Sequence, residues 1–403
     1  MSEPATTPAD PRLAPSEKPQ VAFWRDPEKR GYFFQALLFL VVAFLGYEAI
    51  ANAVDNLTRQ KMASGFGFLN QIAGFDINQT LISYSNTSTY GRAFFVGLFN
   101  TFLVAGLGIV LATLIGFSIG VARLSSNWLV AKLAAFYVEI VRNTPLLLQL
   151  LFWYFLLINM TPQPRDSVSL GLNTYLNNRG LFLPQPVLGN GFTAVLLTFV
   201  AGLIGAWLYR RRAHALQEAT GQQSPVGLVS LGLIVGLPLA AFFAAGMPLS
   251  FNPPELGRFN IRGGVQVFPE FVALLTGLTI YTAAFIAENV RAGIQAVSKG
   301  QTEAAYALGM RPGPTLDLII IPQAMRVIIP PLTNQYLNLT KNSTLAVAIG
   351  YPDLWQVFAG TVLNQTNQAI EVIAISMAVY LFLSITTSLA MNWYNSRKAL
   401  VER

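Results

Sequence analysis

Long apolar runs, each close to the ~20 residues that a helix needs to cross a bilayer, alternate along the chain with polar, Gly- and Pro-rich connections. The runs fall at residues 32–54, 93–121, 133–158, 192–209, 226–246, 271–290, 327–349 and 371–394. This pattern predicts an all-α, polytopic integral membrane protein with about eight transmembrane helices. Residues 1–30 are polar and Pro-rich, and they lack the apolar core and cleavage site of a signal peptide, so they read as a disordered tail. Residues 55–91 and 161–189, and the stretch around Asn252, Pro253 and Pro254, read as polar loops, and residues 396–403 as a second tail. Within the second run, Gly116 and Gly120 stand at GxxxG spacing, which predicts close packing against another helix.

Between the sixth and seventh runs lies a stretch with different local signals. Ser298 and Gln301 stand three apart as a capping box, and Glu303 follows where its charge suits the helix dipole. Gly309 then predicts the end of a short helix whose faces carry Ala304, Ala305, Ala307 and Leu308. Pro312 and Pro314 predict a stop and a turn before the apolar run from Leu318 to Ile321. A helix this short cannot span a bilayer, but its alanines let another surface approach the backbone closely, as a docking knob would.

Glu303, Ala304 and Ala305, followed by Gly309 and then by Ile319, Ile321 and Pro322, resemble the cytoplasmic EAA loop of ABC importer permeases, with Ile321 where Leu is usual. The resemblance implies a type I ABC importer permease core. In that family the loop, here within residues 291–325, is a coupling helix seated in a groove of a separate ATPase. Glu303, Ala304, Ala305, Gly309, Ile319 and Pro322 would then make the contact. On residues alone, an Ala-rich interfacial connector stays open as the alternative.

Further residues narrow the resemblance. Glu139, Arg142, Asn143, Thr144, Pro145 and Gln149 match the ExxRNTPLLxQ pattern of the polar amino-acid branch of these permeases. Residues 281–305 and 334–354 are also similar to that branch, except that Asn289, Thr302 and Tyr306 stand where an apolar residue, Trp and Arg are expected. The likeness lapses between 161 and 267, so this stretch, with its two spans, reads as an insertion between core segments 93–160 and 268–395. Length and insertion together look most like the Q/B-type permeases of the general L-amino-acid (Aap/Bzt) systems of proteobacteria. Such a resemblance implies L-amino acids as substrate, a second and paralogous permease subunit, a cytoplasmic ABC ATPase dimer, a periplasmic amino-acid-binding protein, and a place in the bacterial inner membrane.

Composition and charge support this picture and exclude others. The chain has 403 residues, of which 53% are hydrophobic and 11% charged, too apolar for a soluble domain of this size. It has no Cys and a single His, His214, which removes disulfides and makes a zinc site unsupported. The net charge of +7 is a topology signal. Lys and Arg gather on one side, at Arg12, Lys18, Arg25, Lys29, Arg30, Arg123, Lys132, Arg210, Arg211, Arg212, Arg291, Lys299, Arg311, Arg326, Arg397, Lys398 and Arg403. The other side holds Arg59, Lys61, Arg92, Arg165, Arg179, Arg258 and Arg262. By the positive-inside rule both termini and the EAA loop are cytoplasmic, and Arg210–Arg212 is an orientation anchor and not a nucleic-acid patch.

Polar groups at membrane depth are costly and are therefore candidates for function. Glu139 and Arg142, three apart, can neutralise each other on one helix face, and Pro145 frees carbonyls that could line a cavity, with Gln149 nearby. Asn334, Asn338, Lys341 and Asn342 form a polar stripe at i, i+4, i+7 and i+8. The stripe is either an interhelical hydrogen-bond seam or the lining of a substrate route. Glu48 and Glu288 read as boundary residues. No GxxxxGK[ST] loop is present, so no cofactor is expected in this chain, and ATP and Mg belong to the ATPase. A membrane enzyme lacks its nucleophile, metal cluster or paired carboxylates. The remaining alternative is a heterodimer partner that engages the ATPase while its paralogue holds the substrate.

Overall fold

The computed structural model describes residues 27–59, 65–257 and 260–398, so most of the expected N-terminal tail, and residues 399–403 of the C-terminal one, lie outside the described residues. The chain divides into two units, residues 1–65 and 66–403. The first contains one described helix, α1 (Pro27–Arg59). Its large apolar side chains, such as Phe39 (71%) and Tyr47 (69%), are exposed, as expected of a helix with a lipid-facing surface.

The second unit is built on α2 (Tyr90–Ala122) and α7 (Pro269–Gln295). Thr89 caps α2 by accepting from the Arg92 amide at 3.2 Å. A methyl group at Gly116 would lie 2.6 Å from Cβ of Ile286, and one at Gly120 2.7 Å from Cβ of Val290. The GxxxG spacing therefore serves close helix packing, with the side chains of Ile286 and Val290 seated against the two glycines. Around this pair run α3 (Trp128–Asn143), α4 (Leu146–Met160), α9 (Pro312–Ala348) and α10 (Ala369–Lys398). The core between them contains Val104, Leu150, Leu274, Ile286, Ile328 and Leu339, all buried.

Two expected spans differ. The run at 133–158 is not one helix but two, α3 and α4, bent by 105° at Thr144 and Pro145. Proline clashes with a helical residue before it, and Thr144 is accordingly extended at φ −99°, ψ 128°. The seventh helix starts at Pro312 and not near residue 327. Pro312 and Pro314 do not stop it, because they fall in its first turn, where no amide has a helical acceptor. Helical turns of π type at Leu316–Ile320 lead into the α-helical stretch Ile321–Asn342, which carries Pro330 and Pro331 in its interior. Seven helices qualify as membrane spans among the described residues, or eight if the bent pair counts as one.

Residues 161–267 contain two helices, α5 (Phe192–Thr220) and α6 (Val226–Ala244), which pack on each other. The stretches flanking them are not irregular loops. Strands β1 (Val168–Gly171), β2 (Thr174–Asn177), β3 (Gly180–Leu183), β4 (Gln185–Leu188), β5 (Leu249–Asn252), β6 (Glu255–Leu256), β7 (Ile261–Arg262) and β8 (Val265–Val267) form three small antiparallel sheets. β1, β2, β3 and β8 make the largest, while β4 pairs with β5 and so ties together the two ends of the α5–α6 hairpin. Strands of four residues or fewer, with β1 exposed throughout, carry too little alternation to read from sequence.

Candidate functional site: the exposed connector helix and the polar stripe

The connector helix α8 (Lys299–Ala307) is the expected short helix. Its stop is a Schellman motif. Met310 N donates to Ala305 O at 3.1 Å and Gly309 N to Tyr306 O at 2.9 Å, with Gly309 at φ +75°. Its start differs from the expectation. Ser298 is the N-cap but makes no capping hydrogen bond, and Gln301 instead accepts from Gln323 Nε2 on α9 at 3.3 Å. Because the helix begins at Lys299, Glu303 lies at its middle and not at the positive end of the dipole.

Among the α8 residues only Ala305 is buried, at 1% exposed, while Glu303, Ala304, Ala307 and Leu308 are exposed, Leu308 at 82%. Ala305 seats the helix, which leans on the 316–320 turn, and the rest of its surface is presented outward. Ile319 is half-buried and Pro322 exposed on that same supporting segment. The 291–325 loop is thus short: Arg291 to Gln295 still belong to α7, and helix resumes at Pro312.

The stripe lies on the other part of α9. Leu332 and Leu339 point into the core, Leu339 onto Gly108 near the middle of α2, so Lys341 stands about 3 Å further along the helix axis. Asn334, Asn338 and Lys341 are exposed and Asn342 is half-buried. Among the described residues, none of their side chains hydrogen-bonds to another element, so this chain by itself makes no helix seam of them. Lys341 lines a cavity of about 400 Å³ with Thr344, Trp355, Met377, Tyr380, Leu381 and Ser384. Behind Tyr380 lies Asp353, fully buried in the connection between α9 and α10. Asp353 accepts from Gln356 N at 2.8 Å and from the Tyr380 hydroxyl at 3.2 Å. Burial pushes its carboxyl up to about 7, against the opposing pull of these donors. Tyr351 and Thr101 extend this network to α2, through Asn100 O at 3.1 Å and Leu354 N at 3.0 Å.

Glu139, Arg142 and Gln149 have other surroundings. Arg142 does not pair with Glu139, which is exposed. Its Nη1 lies 3.8 Å from Glu288 Oε2, and its guanidinium is 5.2 Å from the centroid of the Phe285 ring. Glu288 is a hub and not merely a boundary residue, since Arg291 bonds it at 2.5 Å and Arg123 joins as well. Helix α7 brings this carboxylate to Arg142 where three-residue spacing alone suggested Glu139. Gln149 Nε2 donates to Val141 O at 2.9 Å and Thr144 O at 3.0 Å, so these carbonyls at the Pro145 break are satisfied within the protein. The Asp353 network, absent from the sequence reading, had one signal: a lone acid in an apolar stretch beside two prolyl and tyrosyl neighbours, Pro352 and Tyr351.

The family described as "Binding-protein-dependent transport system inner membrane component" matches residues 225–399. The chain is 52% identical, over 94% of both chains, to the general L-amino acid transport system permease protein AapQ of Rhizobium johnstonii. It is 51% identical to the putative amino-acid ABC transporter permease protein YhdX of Escherichia coli, covering 94% of this chain and 96% of that one. The glutamate/glutamine/aspartate/asparagine transport system permease protein BztB of Rhodobacter capsulatus is 41% identical, with 95% of this chain and all of that one covered (100%). With its apolar helices, its exposed connector helix and likeness along nearly its whole length, the chain belongs to the family of amino-acid ABC transporter permeases.

Proposed function

We propose that this permease conducts L-amino acids of a broad or polar range inward across the bacterial inner membrane, with ATP hydrolysed on a separate subunit. The observation that carries the mechanism is α8, a short helix seated by one alanine, ended by a left-handed glycine and otherwise open to a partner. Its small exposed side chains suit a groove, and the partner is an ABC ATPase dimer that binds ATP and Mg. The excess of Lys and Arg at the α8 side supports a cytoplasmic position for it and for both termini. A periplasmic amino-acid-binding protein delivers substrate on the opposite side, and a paralogous permease completes the membrane part.

The substrate route runs along α9. An amino-acid zwitterion at membrane depth needs a cation for its carboxylate and neutral acceptors for its ammonium, and Lys341 with Asn334, Asn338 and Asn342 offers both on one face. The substrate class rests on the names of the relatives AapQ and BztB. The test is uptake by the reconstituted importer with a panel of labelled L-amino acids. Uptake of several, dependent on ATP, supports the proposal. Uptake that is indifferent to substitutions along α9 and sensitive to those in the paralogue overturns the route.

A further inference from the structure

The Glu288 carboxylate joins three helices near one end of the bundle. Arg291, on the same helix, donates to Oε1 at 2.5 Å, and Arg123, the C-cap of α2, donates to Oε2. Arg142, in the last turn of α3, reaches only to 3.8 Å from that second oxygen. The first two contacts lie within a pair, α2 and α7, already interlocked at Gly116 and Gly120. The third ties this rigid pair to the turn immediately before the 105° break at Thr144 and Pro145.

The third contact is also the loosest. At 3.8 Å it exceeds hydrogen-bond length, and the Arg142 side chain is 40% exposed, against 14% for Arg123. Three guanidinium groups share one carboxylate, so they repel one another and the least well placed is the first to leave. The Phe285 ring of α7 lies under Arg142, with its centroid 5.2 Å from the guanidinium, a weaker contact than the ion pair. Glu288 itself lies about two turns before the end of α7 and the start of the α8 connection.

We propose that the Glu288–Arg142 contact is a positioning contact of the transport cycle, which passes displacements of α8, through α7, to the α3–α4 elbow. When α8 moves, α2 and α7 move with it as one body, and the releasable Arg142 arm sets the angle of the bent pair. The inference rests on α8 being the ATPase contact.

The test uses the full importer, with ATPase, binding protein and both permeases, in proteoliposomes. ATP hydrolysis, amino acid moved per ATP, and ATPase co-purification are read for Arg142→Gln, Arg142→Lys and Arg142→Gln combined with Glu288→Gln. Arg142→Gln leaves Glu288 paired with two arginines, so folding is retained. Expected are an intact complex, hydrolysis at the normal rate and a roughly tenfold fall in amino acid moved per ATP. Arg142→Lys recovers most of that ratio, whereas the double variant also takes the carboxylate from Arg123 and Arg291 and loses complex yield as well. An unchanged ratio in Arg142→Gln, or a fall accompanied by an equal fall in thermal stability, overturns the proposal. A complex that carries Glu303→Lys alone and keeps its ATPase activity and uptake overturns the reading of α8 instead, so the two failures are separable.

Discussion

Gln149 Nε2 lies 2.9 Å from the carbonyl oxygen of Val141, the acceptor that Pro145, four residues further on, cannot serve. A proline inside an apolar segment removes one amide donor, and in hydrocarbon no water replaces it. The same amide group also reaches Thr144 O at 3.0 Å, so one buried side chain satisfies both carbonyls at the bend between α3 and α4.

Gln149→Leu therefore strands the buried Val141 carbonyl and the half-buried Thr144 carbonyl. The expected cost is about 1–3 kcal/mol, measured as a lower melting temperature of the purified permease in detergent. Gln149→Glu, which loses the donor and keeps the shape, gives a similar loss. If Gln149→Leu melts as the wild type does, the bend is held by packing alone.

The α8 surface gives a second prediction. Gly309 at φ +75° ends the helix, and a Trp there meets a backbone conformation that side chains rarely adopt. Glu303→Lys reverses the charge in the middle of the exposed face. Both variants insert normally and lose uptake, and Gly309→Trp also loses co-purification of the ATPase. Uptake at normal rate in both removes α8 from the coupling path.

Lys341 is the third. Lys341→Met cuts uptake severely and leaves assembly and basal ATP hydrolysis unchanged, because the stripe makes no hydrogen-bonded seam within this chain. Lys341→Arg restores little, since a planar guanidinium presents its donors in a different shape. A loss of complex yield without a loss of specific transport assigns the stripe to the contact with the second permease.

Asp353 makes the fourth, through pH. Its carboxyl is raised from the ordinary 3.8 to about 7 because it is buried. Between these values the folded protein holds a proton that the unfolded chain has released. The resulting stability is fully present below about 3.8, declines as pH rises, and is lost above about 7. Thermal unfolding from pH 5 to pH 8 is expected to show falling stability in the wild type, and a flatter profile in Asp353→Asn.

Orientation is the fifth. A reporter active only in the periplasm is expected to work when fused at Arg179 and to stay silent at Arg212 and Arg311. Activity at Arg212 reverses the α5–α6 hairpin.

The sequence by itself determined where most apolar helices run, because a bilayer-crossing helix needs a long apolar stretch, although the run at 133–158 broke into α3 and α4 and α9 began at Pro312. It also determined the α8 stop, since Gly309 is a local conformational demand, and the close approach at Gly116 and Gly120, since only small residues allow it. Other features depend on what comes near from far along the chain. Arg142 had Glu139 within reach by spacing, but α7 supplied Glu288 from 146 positions away, together with two competing arginines. Ser298 and Gln301 had the spacing of a capping box, but Gln323 on α9 claimed the glutamine. Pro312 looked like a terminator and became a beginning, because proline blocks a helix only where a preceding turn exists to be blocked. The tertiary structure decided these cases because a polar side chain takes its partner from whichever groups surround it, and spacing along one helix reports only those on its own strand of chain.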